Sequence, residues 1–221
     1  HTEGTAWAPM LFATAELAQS EEGAAFMKEL YPDSYQNVCG IQLAETLKRL
    51  FEYTTEDALY TDFDVSYENF FSGKAAMIPN GYWMMDQIPE EWTGKVRFSP
   101  FPGNKLISSP ETFGWAVVSG YSEEVKEGAV EFLKFRTKLN LEEKEELFSS
   151  SAEELIPAEQ DYIKAYQENP QIVPNYQVKW NSILQEEVLG EALPLLAAGE
   201  ISPEEFTELE DESIQRFEEE Q

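Results

Sequence analysis

The sequence predicts a helix-rich α/β protein, a small sheet flanked by helices. Three observations lead there. Apolar residues recur at helical spacing, most clearly Ile41, Leu43, Ala44, Leu47, Leu50 and Phe51. Only a few short apolar runs, at 75–79, 95–99 and 112–119, have the length and composition of strands. Hydrophobic residues make up 42 per cent of 221 residues, enough to fill a sizeable core in one large domain or two small ones.

Each element follows from local pattern. Residues 6–19 read as a helix of small and apolar side chains, and 20–30 as a second helix stopped by Pro32. Residues 40–53 carry the apolar stripe, and 65–72 form a short helix ending at Phe70 and Phe71. Gly73 suits a left-handed terminator. The run at 75–79 is predicted as a buried strand, and Asn80 with Gly81 turns the chain at its end. Residues 95–99 are predicted as a strand stopped by Pro100 and Pro102, 104–110 as a loop, and 112–119 as a buried strand.

After Tyr121 the pattern turns helical, with Val125, Ala129, Phe132 and Leu133 on one face. Asn140 and Glu143 make a capping box for a further helix ending near Ser149. Residues 158–167 form another helix, and 176–198 a long one with Pro194 as a kink. Gly199 suits its end. Ser202, Pro203 and Glu205 supply an N-cap, a first-turn proline and a capping-box glutamate for the last helix.

Charge and composition exclude several functions. Acidic residues outnumber basic ones by 43 to 15, a formal charge of −28. A phosphate backbone needs a basic face, so no nucleic-acid partner is expected, nor charge-driven binding to anionic lipid. No apolar run is long enough to span a bilayer. Residues 1–20 lack the basic start and apolar segment of a signal peptide. Cys39 is the sole cysteine, so no internal disulfide forms.

Catalysis is not expected. His1 is the sole histidine, which removes most histidine-dependent acid–base and triad chemistry. One cysteine and one histidine cannot make a common zinc site, and no phosphate loop is present. The carboxylates lie mostly in helical runs that read as solvated faces. The acidic residues around 61–64 are wrongly spaced for a calcium loop. No cofactor or metal is therefore expected.

The residues do suit sugar binding. Aromatic faces stack on the apolar face of a sugar ring, while polar groups pair with hydroxyls that would be costly to bury alone. Asn80, Gly81, Tyr82 and Trp83 offer that mixture after a strand end, where ligands sit in open α/β sheets. Glu111, Gly114 and Trp115 offer it again, with the glycine allowing close backbone approach. Trp92 and Trp180 read as packing residues.

Three segments resemble the sugar-binding branch of bacterial extracellular solute-binding proteins, the receptors of ABC importers. They are FFSGKAAMIPNGYW (70–83), ETFGWAVVSGYSEEVKEGAVEFLKFRT (111–137), and Trp180 through LAAGEISPEEF (196–206). The resemblance implies the second lobe of a two-lobed periplasmic-binding-protein-like fold, type II. That lobe would hold residues 1–112 and 158–221, and 113–157 would cross into a first lobe that precedes His1. It implies a mono- or oligosaccharide bound between lobes by Trp83, Trp115, Tyr82, Asn80, Gly81, Gly114, Glu111 and Trp7. It further implies ABC permease subunits as partners and an extracellular or cell-surface location, lipid-anchored or periplasmic. Without the first lobe, weak or undetectable saccharide binding is expected of residues 1–221 alone, and 113–157 is expected to be mobile, to pack back on the second lobe or to pair with another copy through 113–119, giving some tendency to self-associate. The rival readings are a non-sugar solute on the same fold, whose cationic form would suit carboxylates beside tryptophan, a helical interaction module marked by an exposed apolar patch, and a carbohydrate-active enzyme, which would need two facing carboxylates in the cleft.

Overall fold

In the computed structural model, residues 6–29, 31–108, 115–168 and 170–219 are described. They form α1 (Trp7–Leu17), α2 (Glu21–Phe26), α3 (Val38–Phe51), α4 (Phe63–Phe71), β1 (Lys105–Ser108), α5 (Glu123–Ser149), α6 (Pro157–Gln167), β2 (Gln171–Pro174), α7 (Leu193–Ala198) and α8 (Pro203–Glu219). A π-helix, Leu184–Ala192, leads into α7, and short 3-10 turns include Tyr82–Gln87. The protein is helix-rich with a small parallel sheet, as the sequence predicts.

The chain divides into two units. The first holds residues 1–84, 100–109 and 170–221. Its sheet is β1 paired in parallel with β2, Lys105 opposite Gln171 and Ser108 opposite Pro174. Parallel strands need a long crossover, and here it spans 109–170. The core is built from one face of each helix: Met10 and Leu17 of α1, Leu43 and Leu47 of α3, Leu184 and Leu189 of the π-helix, Leu193 and Leu196 of α7, and Phe206 of α8.

Polar side chains lock this unit together. Thr14 Oγ1 donates to the Met10 carbonyl at 2.7 Å and accepts from the Tyr176 amide at 3.1 Å, tying α1 to the segment after β2. Lys179 Nζ donates to the carbonyls of Met27 and Lys28 at 2.7 and 2.8 Å, covering the end of α2. Ser202 and Glu205 form the capping box expected for α8: the Glu205 amide donates to Ser202 Oγ at 3.1 Å, and the Ser202 amide to Glu205 Oε2 at 2.8 Å. Gly199 ends α7 at φ 75°, a left-handed cap that glycine adopts without strain.

The second unit holds residues 85–99 and 110–169. Its spine is α5, 27 residues long, or about 40 Å at 1.5 Å per residue. Arg97 reaches Asp161 of α6 through Nε at 2.6 Å and a second guanidinium nitrogen at 2.7 Å, and the Phe98 amide adds a bond at 3.2 Å. Phe98 and Phe148 meet Tyr162 at centroid distances of 5.4 and 6.3 Å.

Several local expectations are corrected. Residues 75–79 are not a strand, and Met77 is 84% exposed. Residues 95–99 are irregular, while 105–108, expected as loop, form β1. Of the strand expected at 112–119, residues 112–114 lie outside the described residues. Residues 115–118 are irregular and exposed, so that strand is neither formed nor buried there. Asn140 starts no new helix, because no glycine or proline stands near it and α5 runs on through it. The pattern at 176–198 opens with a 3-10 turn, Tyr176–Lys179, and from 182 runs without a break through the π-helix into α7, with Pro194 just past the point where one gives way to the other.

Candidate functional site

The first unit carries a continuous run of aromatic rings. Phe63, Tyr67 and Phe71 stand four residues apart on α4, so they share one face. Phe63 and Tyr67 lie 6.3 Å apart between centroids, and Tyr67 and Phe71 lie 4.5 Å apart. Trp7, at the start of α1, joins this row through Phe63 at 6.4 Å. Trp7 also meets Trp83 at 6.2 Å with the ring planes inclined by 56°. Both spacings lie within the 4.5–7 Å range of favourable aromatic pairs.

Local structure positions each end of the row. Asp62 caps α4, its carboxylate accepting from the Val65 amide at 3.1 Å. On α4 itself, buried Asn69 donates to Asp57 at 3.1 Å and accepts from Lys74 Nζ at 3.3 Å. Hydrogen bonds from Thr55 and then Asn69 hold the Asp57 carboxyl below the usual carboxylate range. At the other end, Asn80 Oδ1 accepts from the Gly81 amide at 2.8 Å, and Asn80 Nδ2 approaches Met84 Sδ at 2.9 Å. The Met84 amide bonds to the Gly81 carbonyl at 3.0 Å and starts the 3-10 turn.

Trp83 is 56% exposed and Tyr82 is 42% exposed, whereas Trp7 is half-buried and Met84 is buried. The row thus has a buried side and, at the Tyr82–Trp83 end, an accessible aromatic surface beside polar backbone. Two cavities of about 510 and 230 Å³ lie elsewhere in the same unit. The larger is lined by Glu187, Glu191, Glu212 and Arg216 over an apolar floor, the smaller by Phe12, Arg49 and Tyr53 among others. Neither includes a ring of the row.

The structure brings Trp7, Asn80, Gly81, Tyr82 and Trp83 together. Trp115 belongs to the second unit and is 73% exposed. Glu111 and Gly114 lie outside the described residues. Sequence reasoning missed Phe63, Tyr67 and Phe71 as members of the site. Their spacing of four is the available signal, but the helix expected at 65–72 leaves Phe63 out and so hides the row.

Among the described residues no group of three His, Cys, Asp or Glu side chains is arranged to hold a metal ion, and no helix is long and apolar enough to cross a membrane. Comparison with family models, curated proteins and solved structures finds no match to this chain.

Proposed function

We propose that this chain is part of the solute-binding component of a bacterial ABC importer, and that it binds a mono- or oligosaccharide at the Trp7–Trp83 surface. The observation that carries the reading is the meeting of Trp7 with Trp83, 76 residues apart in sequence (83 − 7), beside the backbone of Gly81 in one unit. A tilted indole pair offers a sugar ring an apolar face, and the Asn80–Gly81 turn offers amide and carbonyl groups to its hydroxyls. The sequence resemblance of 70–83, 111–137 and 196–206 supplies the transporter context. In that context the chain is the second lobe of a type II two-lobed fold, works outside the cell, lipid-anchored or in the periplasm, and hands its ligand unchanged to the permease. Hinge closure on the ligand would select the form the permease reads.

Titration of the chain with a panel of mono- and oligosaccharides, followed by calorimetry, tests this. Saturable binding that Trp83→Ala weakens supports the reading. Binding that is indifferent to both Trp7 and Trp83 removes the site, and cleavage of the sugar removes the transport role.

A second reading, a helical protein-interaction module, is favoured by α5. Val125, Phe132, Phe135 and Leu141 are each more than half exposed on it. Self-association or capture of a partner that Phe132→Glu abolishes, with no saccharide binding, would favour this reading over the first.

A further inference from the structure

Helix α8 carries one carboxyl group into the core of the first unit. Glu210 is fully buried, and neither of its carboxyl oxygens has a hydrogen-bond partner among the described residues. The acid neither lines a described cavity nor takes part in the aromatic site.

Its surroundings offer nothing to offset a negative charge. Tyr35, ahead of α3, and Tyr176, after β2, act on it electrostatically. Their hydroxyls bond to each other at 3.1 Å and leave the carboxyl aside. The Trp180 N–H lies near those hydroxyls and is directed to them, not to the carboxyl. Next to Glu210 on α8, Asp211 adds a second carboxylate, held by the Ser34 hydroxyl at 2.5 Å and the Tyr35 amide at 2.6 Å.

Three further elements pack against α8. From the π-helix, Glu187 turns to Arg216 and Ser213, while Glu186 and Glu191 are exposed. α7 carries no titratable side chain. From α3, Cys39 is buried, Lys48 half-buried, and Glu45 and Arg49 exposed. None of these supplies a cation or a donor to Glu210. An unpaired buried carboxylate is far more costly than a buried neutral acid, so such groups hold their proton.

We propose that Glu210 is a protonated carboxylic acid in the folded protein and acts as a pH-sensitive latch for α8: α8 seats on the core while the acid is neutral and is released when it ionises. Burial, and after it the Asp211 charge, push this carboxyl well above the usual carboxylate range. The sign follows from linkage. In the unfolded chain the group ionises near the ordinary glutamate value of about 4.3. In the folded chain it keeps its proton to much higher pH. Folding therefore takes up one proton between those limits, and the unfolding constant rises by up to about tenfold per pH unit as pH increases.

Denaturant unfolding of the whole chain and of Glu210→Gln, from about pH 4.5 to 9 and in salt near ~0.5 M to screen surface charge, tests the latch. The two proteins should agree at the acid end. The wild-type unfolding constant should then climb relative to the variant by up to about tenfold per pH unit. Amide exchange along α8 should quicken with it, beyond the intrinsic effect of pH. Parallel profiles for the two proteins overturn the proposal. Should the glutamine variant fail to fold, Glu210→Leu serves in its place. Infrared spectroscopy of the wild type gives an independent reading: a protonated-carboxyl stretch at neutral pH supports the latch, and its absence overturns it.

Discussion

The indole of Trp83 folds back over the backbone of Gly81, so closely that a Cβ added to Gly81 would overlap the six-membered ring. The ring is the end of a side chain and can move, so Gly81→Ala should displace it without unfolding the unit. We expect weakened saccharide binding with denaturant stability within about 0.5 kcal/mol of wild type. Calorimetry and an unfolding curve on the same sample separate the two effects. Unchanged affinity would mean that the position of the ring is unimportant.

Trp83→Ala removes the exposed half of the indole pair with Trp7. The expected loss of binding free energy is ~1–3 kcal/mol, the order seen when a stacking aromatic is truncated in other binding grooves. Since the ring is more than half exposed, the melting temperature should change little. A large fall in stability with unaltered affinity would assign Trp83 to packing.

Gly40 is a different case, because backbone blocks it. A Cβ there would overlap the carbonyl oxygen of Tyr35, and a carbonyl held by its neighbours cannot swing away. Gly40→Ala should therefore destabilise the first unit by about 1–3 kcal/mol, although alanine is the better helix former. A stability equal to or above wild type in urea would show that the chain ahead of α3 yields.

Asp161 responds to pH in the opposite sense to Glu210. The Arg97 hydrogen bonds, with smaller help from the Phe98 amide and the nearby positive charges, hold its carboxyl below the ordinary range. Its stabilising effect is thus present above the unfolded value of about 3.9 and is lost as pH falls through the lower folded value. Asp161→Asn should reduce the protection of the 97–98 amides at neutral pH and remove the acid-dependent change. Hydrogen exchange against pH reads both. Identical exchange in wild type and variant would leave the pair without a structural role.

The capping box of α8 gives a simpler prediction. Ser202→Ala removes the acceptor of the Glu205 amide, and such losses typically cost about 1 kcal/mol. Thermal unfolding would register the change, and an unshifted midpoint would show that water replaces the cap.

The helices were readable where periodicity and caps agreed. The stripe at 40–53 reads as α3, and Ser202 with Glu205 fixes the start of α8 within a residue. Pattern failed where tertiary context decides. β1 and β2 have four residues each, too few for a period, and their pairing depends on segments 66 residues apart in register (171 − 105). The run at 75–79 has strand composition but pairs with no described strand, so it stays irregular. Asn140 and Glu143 form a capping box on paper, yet helix on both sides outweighs the local signal. In the site, Asn80–Trp83 was found because turn residues and aromatics stand together in sequence. The rings of α4 were not, because aromatics four apart are equally a core stripe.

The tryptophans differ sharply in burial, Trp180 at 3% exposed against Trp83 at 56% and Trp115 at 73%. Their fluorescence will differ accordingly. Trp180, edge-on to Tyr35 and Tyr176, should emit at shorter wavelength and resist quenching by acrylamide. Trp83 and Trp115 should emit to the red and quench readily, while iodide should reach them poorly through the field of a −28 protein. A single emission spectrum therefore contains two reporters within the first unit: the blue edge follows the neighbourhood of Glu210, and the red edge includes the surface where a sugar would settle.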